Sequence, residues 1–236
     1  MLSEEEQQSI LNLPAYPLQV QARRDLVPPG AKVDHVCLVA SGLIGRFGQT
    51  TAGERQITAI HVPGDVADLH SVVQPASVSA LQALSAATVL RIPHVSVRAA
   101  AASYPAVAEA LWRDCMVDAA VLSQWVVNVG RRQATERLAH LICEMAVRIC
   151  GAQPSEDTVF DLRITQGQLA DATGMTSVHV NRTLQKLRRE GILDWPRGSM
   201  VRIPRWDHLA AIGDFDEAYL QRNARPEERL RIARAS

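Results

Sequence analysis

Between Ile164 and Leu184 the residue types follow offsets that few folds use. Thr165 and Gln168 stand three apart and form a capping box that starts one helix. Ala170 has to be small, because a second helix crosses close above it. Gly174, four positions later, supplies the left-handed turn that ends the first helix. Thr176 caps the next helix, and Val180 and Leu184 turn back into a core. A small residue, a glycine four later and a β-branched residue six after that are the steric skeleton of a helix-turn-helix.

The second helix shows what it faces. Ser177, His179, Asn181, Arg182, Lys186, Arg188 and Arg189 lie off the apolar stripe of Val180, Leu184 and Leu187. From Thr176 to Arg189 there are four cations and no acid. Such a helix suits the major groove of double-stranded DNA, with its first turns at base edges and its cationic end beside phosphates. Ser177, Val178, His179, Asn181 and Arg182 are the candidate base readers. Arg182 has the fork that fits guanine O6 and N7. Thr165, Gln166, Thr176, Lys186, Arg188 and Arg189 are candidate phosphate contacts. Beyond them, Ile192/Leu193 and Met200 to Ile203 read as two strands around the turn Pro196-Arg197-Gly198, a wing that offers Arg197 and Arg202 to phosphates. Trp195 and Trp206 read as core. The formal net charge of the whole chain is +0. It divides unevenly about Gly130, however, with 8 basic and 11 acidic residues before and 17 and 14 after. The basic excess sits with the motif.

Upstream, short apolar runs alternate with turn residues from about Gln19 to Pro93. Val36 to Val39, Leu43 to Phe47, Ile57 to Val62 and Thr88 to Ile92 predict strands of a sandwich or barrel. From about Pro105 to Val129 the pattern becomes helical. Ala108, Trp112, Cys115, Ala119, Leu122, Val126 and Val129 repeat at alternating steps of four and three, the seam of a two-helix coil. Val117, Val121 and Trp125 form a second apolar set that can face the barrel. Gly130 is expected to end this helix, and Arg131 to Ile149 reads as another. Residues 151–157 read as a polar linker. The fold class is therefore α+β: a jelly-roll-like β-barrel over 1–104, a dimerisation helix over 105–130, a winged helix-turn-helix over 131–213 and a tail over 214–236.

The four cysteines, Cys37, Cys115, Cys143 and Cys150, form no CxxC pair and resemble neither a zinc site nor a disulfide framework. They read as small buried apolar residues. No metal site is expected. Glu4, Glu5 and Glu6 follow the first residues where a signal peptide would be basic, and the uncharged run 71–90 is too polar for a membrane span. The expectation is a cytoplasmic protein with no membrane partner.

On these motifs the sequence closely resembles the Crp/Fnr family of bacterial regulators. Leu162 to Ile203 resembles the family's DNA-binding domain, with Gly174, Val180, Arg182 and Leu184 in the family's places. The run Gly53 to Asp65 is similar to its effector barrel, and Trp112 to Gly130 to its dimer helix. The resemblance implies a homodimer on a pseudo-palindromic operator, an effector sensed by the barrel, and contact with RNA polymerase. Three departures qualify it. Asp68-Leu69 stand where cyclic-nucleotide binders carry Gly-Glu, and Val78-Ser79-Ala80 stand near their Arg pair, so no cyclic nucleotide is expected. The clustered N-terminal cysteines of iron–sulfur members are missing. Haem through His61, His70 or His94 is not expected either. Asp68, His70 and Ser79 are left as the candidate pocket for an unidentified small-molecule effector. Val178 stands where many members carry Glu, and favours a thymine methyl over cytosine. A different reading, a sensor acting through protein contacts alone, is compatible with the barrel but not with the winged segment. No GxSxG, P-loop, HExxH or acid–base pair points to an enzyme.

Overall fold

A computed structural model describes residues 2–77, 79–151, 153–196 and 198–221. A short helix α1 (Glu4–Leu11) precedes seven strands: β1 (Tyr16–Val20), β2 (Asp25–Val27), β3 (His35–Ser41), β4 (Ile44–Gln49), β5 (Arg55–His61), β6 (Ala80–Ala83) and β7 (Ala87–Pro93). They form two antiparallel sheets, ordered β1-β7-β3 and β2-β6-β4-β5. This is the jelly-roll-like arrangement that the turn spacing implies. Val39, Ile44, Leu81 and Val89 fill the space between the sheets. The turn between β3 and β4 needs glycine on two counts: Gly42 has φ +79°, and a Cβ there would stand 2.3 Å from the Ala86 carbonyl oxygen.

Helix α2 (His94–Ser103) leads into α3 (Pro105–Arg131), 27 residues long with Pro105 in its first turn, where a missing N–H costs nothing. Gly130 does not end α3, contrary to the sequence reading. A helical glycine costs only about 1 kcal/mol relative to alanine. The break falls at Arg132, whose ψ of 150° is extended and whose carbonyl accepts from Arg137 Nε. Gln133 then caps α4 (Ala134–Cys150) with Glu136.

The C-terminal head comprises α4, β8 (Thr158–Asp161), α5 (Gln166–Thr173), α6 (Ser177–Arg189), β9 (Met200–Ile203) and α7 (Trp206–Gly213). The wing departs from the sequence reading. Strand β9 pairs with β8, not with Ile192/Leu193, and only Asp194 bridges Arg202. The cause is local. The N–H groups of Ile192 and Leu193 are directed to the Leu187 carbonyl at the end of α6, and both side chains are buried. Trp195 and Trp206 are core residues, as their size predicts.

Residues 214–221, assigned from sequence to a tail, are part of the body. Asp214 turns the chain in the left-handed region (φ 45°), and Phe215, Tyr219 and Leu220 fold back on α4 and α3. The rest of the tail, from residue 222, lies outside the described residues. Head and barrel touch directly: Arg55 pairs with Asp171 at 2.9 Å, and Gln168 Nε2 donates to the Leu84 carbonyl.

Candidate DNA interface and effector cavity

Helices α5 and α6 are built by the local chemistry that the sequence carries. Thr165 Oγ1 accepts from Gln168 N, and Gln168 Oε1 accepts from Thr165 N at 2.7 Å, closing the capping box. Gly174 has φ 63°, and no neighbour would crowd a Cβ there, so the left-handed turn alone requires glycine. Thr176 Oγ1 accepts from His179 N and starts α6. Val180, Leu184 and Leu187 are buried beneath it, and Ala170 lies under the crossing.

The opposite face of α6 is open. Ser177, Val178, His179, Arg182, Lys186, Arg188 and Arg189 are exposed, as are Thr165, Gln166 and Thr176 beside them. Among the described residues none of the four cations of α6 forms an ion pair. Asn181 differs. It donates to Gln166 Oε1 at 3.1 Å and accepts from Gln185, so its amide ties α5 to α6. Arg202 points outward from β9 and pairs with Asp157 at 2.8 Å. Arg197 lies outside the described residues.

The outward face of α3 is apolar. Trp112 is 56% exposed, Leu122 40% and Val126 62%; Ala119 is also exposed, while Ala108 and Val129 are half-buried. Cys115 sits apart from them, half-buried against Val36, Leu69, Ile92 and Val97 of the barrel. Met116 and Val127, absent from the 3.5-residue seam, are exposed beside it. Val121 and Trp125 are buried on the opposite side.

Among the described residues, the three read as a pocket do not line the cavity that opens between the barrel and the long helix. Asp68 is buried, and its Oδ1 accepts from Cys37 N at 2.7 Å; burial raises its carboxyl above the usual range. Among the described residues its Oδ2 has no partner. His70 is half-buried, and burial lowers its ring. Ser79 contributes only its carbonyl, to Ser77 Oγ. Val78 lies outside the described residues. The cavity, about 270 Å³, instead opens between the turn after β5, α3 and α4, with His61, Asp65, Asp114, Asp118 and Arg148 among its walls. Arg46 reaches Asp118 from the barrel. Burial, and then Arg46 and Arg148, hold the His61 ring well below its ordinary range, so it is neutral. No alternation or motif in the sequence marks this cavity, because its walls come from four distant segments: β5 and the turn after it, α3, α4 and Leu220.

Asp114, on the rim, is pushed up to about 6, first by burial and then by the Asp65 and Asp118 carboxylates. A carboxyl raised on folding favours the folded state when protonated. That contribution is complete below about pH 3.8 and is lost as pH rises through about 6. Asp114→Asn should therefore be more stable than the parent above pH 7, with the gap closing toward pH 4. Melting temperatures of both proteins across that range check it, and a pH-independent gap would refute the assignment.

The cysteines are scattered. Cys37 and Cys143 are buried, with thiols raised by that burial, and among the described residues no three His, Cys, Asp or Glu side chains are grouped as a metal site. Among the described residues no helix is long and apolar enough to cross a membrane.

Comparison with known proteins matches both ends of the molecule. Residues 136–212 match the Crp-like helix-turn-helix domain, and residues 17–104 match the cyclic nucleotide-binding domain. The regulatory protein HlyX of Actinobacillus pleuropneumoniae is 24% identical, over 88% of this chain and 86% of its own. The fumarate and nitrate reduction regulatory protein of Escherichia coli is also 24% identical, over 89% of this chain and 84% of its own. The structure of FixK2 from Bradyrhizobium japonicum superposes with a TM-score of 0.76 at 25% identity, covering 84% of this chain and 96% of that one. The first two are regulatory proteins by name. A cyclic nucleotide-binding domain and a Crp-like helix-turn-helix domain, matched separately and joined by one long helix, make this chain a DNA-binding transcription regulator of the Crp/Fnr family.

Proposed function

We propose that the protein works in the cytoplasm as a homodimer, paired along the outward face of α3, and that its two α6 helices read a pseudo-palindromic operator. The exposed, acid-free face of α6 carries this reading. Arg182 reaches a base edge, with Ser177, Val178 and His179 beside it, while Lys186, Arg188 and Arg189 meet phosphates. Asn181 reads a base only by giving up its bond to Gln166. Arg202 reaches a phosphate only by leaving Asp157. RNA polymerase is the expected protein partner.

The barrel's signal is something other than a cyclic nucleotide. A buried carboxyl at Asp68 opposes a phosphate. Any effector would enter the cavity beside His61 and Arg148.

Selection of bound sites from random duplex DNA tests the DNA reading. The expected product is a two-half-site sequence with half-site centres about 34 Å apart. Three phosphate-facing cations on each head predict that log affinity falls with log salt at a slope of about −5. Recovery of no sequence preference at any salt would refute it, and would favour a sensor acting through protein contacts.

A further inference from the structure

Glu144 lies in the middle of α4 and is fully buried. A carboxylate in such a place is costly unless it is paired and hydrogen-bonded, and here both oxygens accept, from three side chains in three parts of the molecule. Its Oε2 accepts from Trp125 Nε1 of α3 at 2.9 Å and from the Tyr219 hydroxyl at 2.8 Å. Its Oε1 accepts from Arg148 Nη1, one turn further along α4, at 2.9 Å. The other arm of that guanidinium, Nη2, reaches Asp65 Oδ2 at 2.6 Å, in the turn after β5. Asp65 is fixed in return, because the same oxygen accepts from Val62 N at 2.8 Å. One chain of charge-assisted hydrogen bonds thus runs from the barrel turn through the first helix of the head to the long helix and the C-terminal segment.

We propose that Glu144 and Arg148 are positioning residues for operator binding. Together they latch the head to the barrel at the angle that sets the spacing of the two α6 helices. This rests on the homodimer reading above. A second ion pair between head and barrel among the described residues, Arg55 with Asp171, has side chains 23% and 32% exposed, against 13% and 29% for Arg148 with Asp65. What sets Arg148 apart is its second partner, the fully buried Glu144, whose charge is left uncompensated when that guanidinium is lost. A loosened head folds normally and binds one half-site normally. Two half-sites at a fixed separation demand that both heads be held in advance, and freedom lost on binding subtracts from affinity.

The test compares two duplexes, the operator selected with the native protein and a single half-site cut from it. Asp65→Asn removes the charge facing Arg148 but keeps an oxygen for Val62 N. Tyr219→Phe removes one hydroxyl from the far end. Each should weaken operator binding, Asp65→Asn by about tenfold, with half-site binding within about twofold of the native protein. On an Arg148→Gln background, Asp65→Asn should add nothing, because the partner is already gone. Equal losses on both duplexes would mean only a damaged head, and additive losses would mean no shared latch; either overturns the proposal. A native protein that binds both duplexes alike would overturn the dimer reading itself, and the proposal with it.

Discussion

Val126→Glu should leave a folded monomer that has lost most of its affinity for the operator. Val126 is 62% exposed in the single chain, on the outward face of α3 with Trp112, Ala119 and Leu122. It touches little within its own chain, so a carboxylate there has water for company and the fold is not disturbed. In a dimer paired along that face, the same carboxylate meets its own copy in an apolar seam. Two buried like charges with no partner cost several kcal/mol, more than a helix pair of this length can absorb. Sedimentation should give the mass of one chain, with an unchanged circular dichroism spectrum. The second half-site then no longer binds as part of the same molecule, and operator affinity drops by about 10²- to 10⁴-fold. Binding to a single half-site should hold. A contrasting change, Val121→Glu, places the charge on the buried side of the same helix and should unfold the protein. A Val126→Glu protein that still sediments as a dimer would move the interface elsewhere.

Features fixed within a few residues were readable before any coordinates. The Thr165–Gln168 box, the left-handed Gly174 and the Thr176 cap are each set by neighbours three or four positions away, and each is present. The four strands legible in the barrel are the long ones, with six or seven residues each. Strands β1, β2 and β6 are too short to show an alternation, with five, three and four residues. The wing misled for another reason. Ile192/Leu193 has strand composition, but α6 had already claimed its N–H groups, and the partner of β9 came from about 40 residues upstream. The same limit hid the cavity and the Glu144 network. A lone Glu on the inward face of α4 looks like an error in the pattern until Trp125, Arg148 and Tyr219 are placed around it. Asn181 shows the reverse. Its residue type suits adenine, but its amide is already spent on Gln166 and Gln185.

That contrast makes Arg182 the side chain whose loss should alter specificity most. It stands exposed in the N-terminal half of α6, the part of a helix lying in the major groove that meets base edges. Among the described residues it makes no ion pair, so reaching a base breaks nothing within the protein. A guanidinium forked onto one guanine is worth about 1–3 kcal/mol of discrimination. A dimer lacking it loses that amount at each half-site. Arg182→Ala should therefore weaken operator binding by tens to tens of thousands of times (about 2–6 kcal/mol for two half-sites). It should also flatten base preference at one symmetry-related pair of positions, leaving the others intact. Lys186→Ala provides the comparison: weaker binding to every sequence alike, with the salt slope reduced by about one for each head. Site selection and salt titration on the two variants separate a base reader from a phosphate contact. If Arg182→Ala kept the full base preference and lost only salt dependence, Arg182 would be a backbone contact, and the reading of bases would pass to Ser177, Val178 and His179 in the first turn of α6.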